Sequence, residues 1–245
     1  MQKIIFTIDG NSQVAKDTFR LELSSSSDVL MHSGQFVDVA LEGRYLRRPI
    51  SVCDSTPGHL TLCYKVVGEG TRQLSEMEPG EKLDILTGLG HGYDTEACND
   101  SALLIGGGLG VAPMHLLCKE LRALGKKVTV VLGFNRADEI LLVDDFKAMG
   151  AEVLISTMDG SVGTKGFVTD AIAEAKPEFD IYYTCGPLPM MKAVYASLPT
   201  PGQLSLEERM GCGAGFCYGC TCKTHTGNKR VCADGPVFNK EDLTW

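Results

Sequence analysis

Five of the ten cysteines, Cys212, Cys217, Cys220, Cys222 and Cys232, crowd into residues 212 to 232. Cys212, Cys217 and Cys220 stand in the order C-x4-C-x2-C, the spacing of a plant-type [2Fe-2S] loop, and Cys232 offers a fourth thiolate. A loop that gathers three thiolates around one centre needs small residues and backbone N–H groups turned towards sulfur. Gly211, Gly213, Ala214, Gly215 and Gly219 meet that need. Cys220 and Cys222 are too close in sequence for both to serve within this spacing, so Cys222 is expected to be a bystander. Zinc is the competing occupant, because Cys217-x2-Cys220 could open a ribbon, but a ribbon wants a second close pair downstream and only Cys232 is there. His225 reads as a solvated loop residue.

A second group of residues suits phosphate. Gly106, Gly107, Gly108 and Gly110 form a glycine-rich turn between the strand-like ALLI and a helix that opens at Val111-Ala112-Pro113. Such a turn lets backbone approach a pyrophosphate at a helix N-terminus, and proline fits a first helical turn. Cys185, Gly186 and Pro187 end another strand-like run, DIYYTCGP, and would share the ligand crevice at the strand C-terminal ends. Upstream, Arg48-Pro49-Ile50-Ser51 supplies a guanidinium that can clamp phosphate, and Gly68-Glu69-Gly70-Thr71 supplies donors ahead of a helix.

The elements that must position these groups fall into three stretches. Over residues 1–98, short alternating runs (KIIFTID, TFRLEL, QFVDVAL, ISVCD, LTLCYKVV, KLDIL) separated by Gly, Ser, Asp and Pro predict an antiparallel β-barrel, with one helix near Thr71 to Met77. Over 99–206, strand-like ALLIGGG, VTVVLGF, EVLIST and DIYYTCG alternate with helix-like segments at 112–124, 138–149, 166–175 and 189–198, which predicts an α/β parallel-sheet domain. Residues 207–245 are rich in Gly and Cys with little apolar periodicity, so a metal centre is expected to organise them.

Bulk composition narrows the partners. A net charge of −8 with no Lys/Arg cluster argues against nucleic acid, and no apolar stretch is long enough to span a bilayer. The opening MQKIIFTIDGNSQ lacks a secretory signal, so a cytoplasmic protein is expected. Cys53, Cys63, Cys98, Cys118 and Cys185 are scattered among apolar neighbours, as buried free thiols are.

The order RPIS, GEGT, GGGLGVAP, CGP over about residues 1 to 200 resembles the ferredoxin-NADP reductase superfamily, in which a barrel binds flavin and an α/β domain binds a nicotinamide nucleotide. With the ending LEERMGCGAGFCYGCTCKT and VCADGPVF, the whole chain resembles the electron-transfer subunit of class B dihydroorotate dehydrogenase. That resemblance implies FAD, one [2Fe-2S] cluster, NAD as acceptor, and a heterotetramer with a separate FMN-containing catalytic subunit in pyrimidine (UMP) biosynthesis. It implies FAD contacts from Arg48, Pro49, Ile50, Ser51, Cys63, Tyr64, Lys65, Gly70 and Thr71, with Ser51 near flavin N5 and Cys185 beside the nicotinamide ring. Cys185 reads equally as a small buried thiol. Ile50 stands where the superfamily often has an aromatic over the flavin, leaving stacking to a residue such as Tyr64, and Trp245 reads as a surface or interface residue rather than a flavin cover.

No acid–base catalyst is expected, since hydride transfer needs positioning above all, and flavin links two-electron nicotinamide to a one-electron cluster. Arg136, beyond VTVVLGF, suits a 2′-phosphate, while Asp138 and Glu139 oppose it; the resemblance implies NAD. Two other readings stand beside this one. One is an NAD(P)H-ferredoxin or sulfide-linked oxidoreductase subunit of the same architecture; the other is a cluster- or zinc-bearing redox sensor.

Overall fold

The computed structural model describes residues 1–245. Six strands close a barrel: β1 (Gln2–Ala15), β2 (Thr18–Ser24), β3 (Phe36–Val39), β4 (Arg48–Thr56), β5 (His59–Lys65) and β6 (Lys82–Leu89), in the order β1-β2-β5-β4-β3-β6. Closure removes both sheet edges and turns alternate side chains inward. Ile4, Phe6 and Ile8 of β1, Leu21 and Leu23 of β2, and Leu60 and Leu62 of β5 fill the interior. The short helix α1 (Glu69–Ser75) caps the barrel through Leu74, which is fully buried.

The second unit is a seven-stranded sheet in the order β10-β9-β8-β7-β11-β12-β15. Its strands are β7 (Ser101–Gly107), β8 (Lys127–Phe134), β9 (Glu152–Thr157), β10 (Thr164–Lys165), β11 (Ile181–Cys185), β12 (Gly202–Ser205) and, from near the C-terminus, β15 (Val237–Asn239). Helices α2 (Val111–Ala123), α3 (Val143–Ala148), α4 (Val168–Ala175) and α5 (Leu188–Ser197) connect them. The central β7 is buried from Ala102 to Gly107, as a strand covered on both faces must be. The helix-like run 138–149 is shorter than its sequence suggests. A 3-10 turn covers Ala137–Glu139, and α3 starts only after Leu142, whose left-handed backbone (φ 62°) interrupts the periodicity.

The cysteine-rich stretch carries a hairpin, β13 (Thr221–Thr224) with β14 (Gly227–Arg230), and one helical turn, α6 (Val231–Asp234). It does not stand alone. Cys220, Val231, Cys232, Phe238 and Leu243 are buried in one apolar cluster with Leu103, Ile105, Tyr182 and Leu204 of the nucleotide-side sheet and with Phe36 and Leu89 of the barrel. β15 pairs antiparallel with β12, and Leu206 N–H donates to the Pro236 carbonyl at 2.9 Å. Packing and strand pairing thus tie the segment to both larger units.

Barrel and sheet meet along α2. Leu116 of α2 belongs to the barrel core, Lys119 Nζ pairs with Asp54 at 2.7 Å, and Arg20 Nη1 reaches Asp145 at 3.3 Å. No helix is long and apolar enough to cross a membrane.

Candidate functional site

Two cavities flank the glycine turn between β7 and α2. The first, about 330 Å³, opens between barrel and sheet and is lined by Arg48, Pro49, Ile50 and Ser51 of β4, Cys63, Tyr64 and Lys65 of β5, and Thr71 of α1. Eight of the nine residues that the resemblance assigned to flavin therefore lie on one wall. The ninth, Gly70, lies beneath it, where a Cβ would meet the Arg48 guanidinium at 2.5 Å. Glycine here lets that guanidinium lie flat along the helix start. Thr71 Oγ1 accepts the Val67 and Gly68 N–H groups at 2.9 and 3.2 Å, so its hydroxyl is spent on shaping the turn.

Tyr64, to which flavin stacking was assigned, lines the wall with little of its surface open. Its ring is 2% exposed, lies 5.7 Å from Phe19 in a stacked pair, and its hydroxyl donates to Asn11 at 2.9 Å. Burial pushes the phenol up to about 12. The opposite wall was not anticipated. It comes from Leu109, Ala112 and Pro113 at the glycine turn and from Ser205 to Glu208 and Met210, on the chain leaving β12. A four-residue strand gives too little alternation to reveal itself, and these residues carry no motif.

The second cavity, about 400 Å³, lies at the C-terminal ends of β7, β8 and β9, where open α/β sheets take ligands. Gly107, Gly108 and Pro187 line it; Gly106, Gly110 and Gly186 do not. They permit the turn instead. A Cβ on Gly106 would lie 2.7 Å from Val111 Cα, one on Gly110 would collide with the Cys185 carbonyl, and Gly186 (φ 151°) packs on the Gly107 backbone. Phe134, Asn135, Ser156, Met158 and Phe167 are among the other residues that line it. Ser156 is fully buried, and its hydroxyl has no protein partner. The rule that ligands gather at strand ends could have found these residues.

Cys185 is 0% exposed and lines neither cavity; burial pushes its thiol well up. Its carbonyl, rather than its sulfur, meets the glycine turn. The buried-thiol reading fits that placement. Because Leu109 and Pro113 wall the first cavity while Gly107 and Gly108 wall the second, one turn separates the two ligand spaces.

The cysteines form two pairs, Cys212 facing Cys217 and Cys220 facing Cys232. Backbone donors converge on them: Gly215 N–H on Cys232 Sγ at 3.1 Å, Phe216 and Cys217 N–H on Cys212 Sγ at 3.2 and 3.4 Å, and Cys232 N–H on Cys220 Sγ at 3.4 Å. Burial raises the Cys212 thiol, but the N–H groups of Ala214, Cys217 and Phe216 outweigh it and bring it down to about 6. Cys232 is pushed up to about 12 by burial and by its neighbour Cys220. No three His, Cys, Asp or Glu side chains converge on a single-ion position. Two thiol pairs under N–H donors suit a two-iron centre, which the four thiolates would hold. Cys222 stands apart on β13, opposite Lys229, with its side chain against the neighbouring apolar cluster. Exposed Phe216 and Tyr218 flank the loop, and Arg230 covers the Tyr218 ring at 5.2 Å.

A barrel with an Arg-Pro-x-Ser wall, a sheet with a glycine-turn crevice, and a paired-thiol loop packed on both define a flavin- and nicotinamide-linked reductase with an iron–sulfur appendage. Comparison with known proteins makes the class specific. Residues 207–244 match the iron-sulfur cluster binding domain of dihydroorotate dehydrogenase B, and residues 104–196 match the oxidoreductase NAD-binding domain. The chain is 43% identical to the dihydroorotate dehydrogenase B (NAD(+)) electron transfer subunit of Fusobacterium nucleatum, over 97% of this chain and 96% of that one. It is 44% identical to the subunit of the same name from a Geobacillus species, over 99% of each. Among solved structures, an NADH-dependent reduced ferredoxin-NADP oxidoreductase studied for flavin-based electron bifurcation aligns with TM-score 0.89 at 34% identity, over 98% of this chain and 90% of that one. The chain belongs to the family of dihydroorotate dehydrogenase B (NAD(+)) electron transfer subunits. It is an oxidoreductase component, and its cofactors are FAD, a [2Fe-2S] cluster and NAD.

Proposed function

We propose that the chain relays electrons, taken from dihydroorotate on a separate FMN-containing catalytic subunit, through a [2Fe-2S] cluster and FAD to NAD+, in de novo pyrimidine biosynthesis. The assembly is a cytoplasmic heterotetramer of two copies of each chain. The observation that carries this reading is the single glycine turn walling both cavities, with Cys220 and Cys232 buried in the apolar cluster that joins barrel and sheet. That arrangement lets nicotinamide, flavin and cluster occupy adjoining spaces on one chain. When bound, flavin supplies the exchange between paired and single electrons.

The chain's own residues bind and orient. Arg48 presents its guanidinium to the FAD phosphates, Ile50 and Ser51 line the ring side, with Ser51 offering a hydroxyl near N5, and Cys63, Tyr64 and Lys65 form the floor. Gly70 and Thr71 shape the helix start. Gly107, Gly108 and Pro187 border the NAD site, while Gly106, Gly110, Cys185 and Gly186 hold the turn. Cys212, Cys217, Cys220 and Cys232 ligate the cluster. Residues 1–98, 99–206 and 207–245 are the corresponding FAD, NAD and cluster units.

The test is anaerobic co-purification with the FMN subunit, followed by an iron count, a flavin count and NAD+ reduction by dihydroorotate. Two irons per chain, FAD and dihydroorotate-dependent NADH formation are expected; a zinc-bearing protein without flavin overturns the reading. A second reading, a subunit of a ferredoxin-linked nicotinamide oxidoreductase, is favoured by the 34% identity to the ferredoxin-NADP oxidoreductase chain. It expects ferredoxin-dependent turnover and no activity with dihydroorotate.

A further inference from the structure

Strand β3 turns Val37 and Val39 into the barrel core and Phe36 and Asp38 outward, by ordinary alternation. Both outward residues meet the cysteine-rich segment. Phe36 shares an apolar cluster with Cys220 and Cys232. Asp38 lies over Gly213, next to Cys212: a Cβ on Gly213 would stand 2.6 Å from Asp38 Oδ2.

The Asp38 carboxyl is poorly provided for. The residue is 4% exposed and Oδ1 has no hydrogen-bond partner. Arg47 is near but committed elsewhere: Nη1 donates to the Asp38 and Asp84 backbone carbonyls, at 3.2 and 3.0 Å, and Nη2 to the Asp84 carboxylate at 2.8 Å. Arg48 Nη1 turns to the Leu46 and Arg47 carbonyls. Lys3 is held on Asp84 at 2.9 Å. Across the strand pairs Asp38 meets Pro49 and Leu86, and from the cysteine loop Gly213 lies against it. Burial therefore pushes the carboxyl up to about 6, although Arg47 and Arg48 pull it down. A buried carboxylate without donors is destabilising, and an apolar side chain would pack there at lower free energy.

We propose that Asp38 sets the reduction potential of the centre held by Cys212, Cys217, Cys220 and Cys232, its carboxylate on the cysteine loop opposing the arrival of an electron. The inference rests on the ligand assignment proposed above. A negative charge held in low dielectric beside the loop favours the more oxidised state and lowers the potential. Protonating it removes the effect, so the potential rises as pH falls through the carboxyl's titration. Asp38 acts as a potential-setting neighbour of the loop, not as a ligand.

The test is an EPR-monitored redox titration of the anaerobically purified chain, wild type against Asp38→Asn, at pH 8 and pH 5.5. The variant is expected to have the higher midpoint at pH 8, with the difference narrowing at pH 5.5, where most of the wild-type carboxyl is protonated. Equal midpoints at pH 8, with both signals intact, overturn the proposal, even if the variant is less stable. Should Asp38→Asn fail to hold the centre, the wild-type profile decides: a midpoint that falls between pH 5.5 and pH 8 supports Asp38, and a flat one overturns it. Absence of the signal from the wild type would instead overturn the ligand assignment and this inference together.

Discussion

Residues two apart in the chain can serve quite different ends. Cys220 and Cys222 are separated by one residue, yet Cys220 faces Cys232 under a backbone donor whereas Cys222 sits on β13. Cys222→Ser is expected to keep two irons per chain and the visible spectrum, and Cys232→Ser to lose both; iron analysis after anaerobic purification decides. Arg136 and Asp138 form the second pair, at the end of β8 beside the nucleotide cavity. Arg136 Nε and Nη2 donate to the two Asp138 oxygens at 3.3 and 2.9 Å, and Asp159 adds negative charge nearby. The arginine that a 2′-phosphate would want is already occupied. Asp138→Asn is expected to strengthen NADPH binding about tenfold relative to NADH, read by flavin fluorescence quenching, with little change in NADH affinity. A ratio unchanged from the wild type would show that Arg136 plays no part in the discrimination.

At the scale of elements, the turn between β7 and α2 bears the tightest constraint. Gly110→Ala would drive a Cβ into the Cys185 carbonyl, which is backbone of β11 and cannot swing aside. A loss of about 2 kcal/mol or more in urea unfolding is expected, with weakened NADH binding, because the turn is the common wall of both cavities. Glycine-rich turns and strand runs such as VTVVLGF were legible in the sequence because their chemistry is local: a run of buried β-branched residues and a glycine where backbone must come close. The wall formed by Ser205 to Glu208 was not legible. β12 is four residues long and is fixed by pairing with β11 on one side and β15 on the other, contacts that span 20 residues or more of chain and leave no periodic trace. The same holds for Tyr64, whose commitment to Phe19 and Asn11 depends on which strands become neighbours.

Across the whole molecule, one apolar cluster joins the barrel (Phe36, Leu89), the nucleotide-side sheet (Leu103, Ile105, Tyr182) and the cysteine segment (Cys220, Val231, Cys232). Removing the metal centre therefore loosens more than its own loop. Chelation under reducing conditions is expected to lower the melting temperature by roughly 5 °C or more, corresponding to about 2 kcal/mol for a chain of this size, and to do so for a nucleotide-domain probe as well as for the cluster. A probe on the sheet that melts at an unchanged temperature would show the two to be independent. This coupling could not be read from composition, since residues 207–245 lack an apolar repeat and borrow their core from strands far away in sequence.

The pairing of β12 with β15 bears on how the centre is assembled. Leu206 and Pro236 are hydrogen-bonded to each other, and every candidate cysteine ligand lies between them. In a free tail, collecting four thiols would carry the full chain entropy of closing that loop. Here the pairing of β12 with β15 closes that loop, so the chain entropy of bringing the four thiols together is shared with the sheet rather than borne by the centre alone.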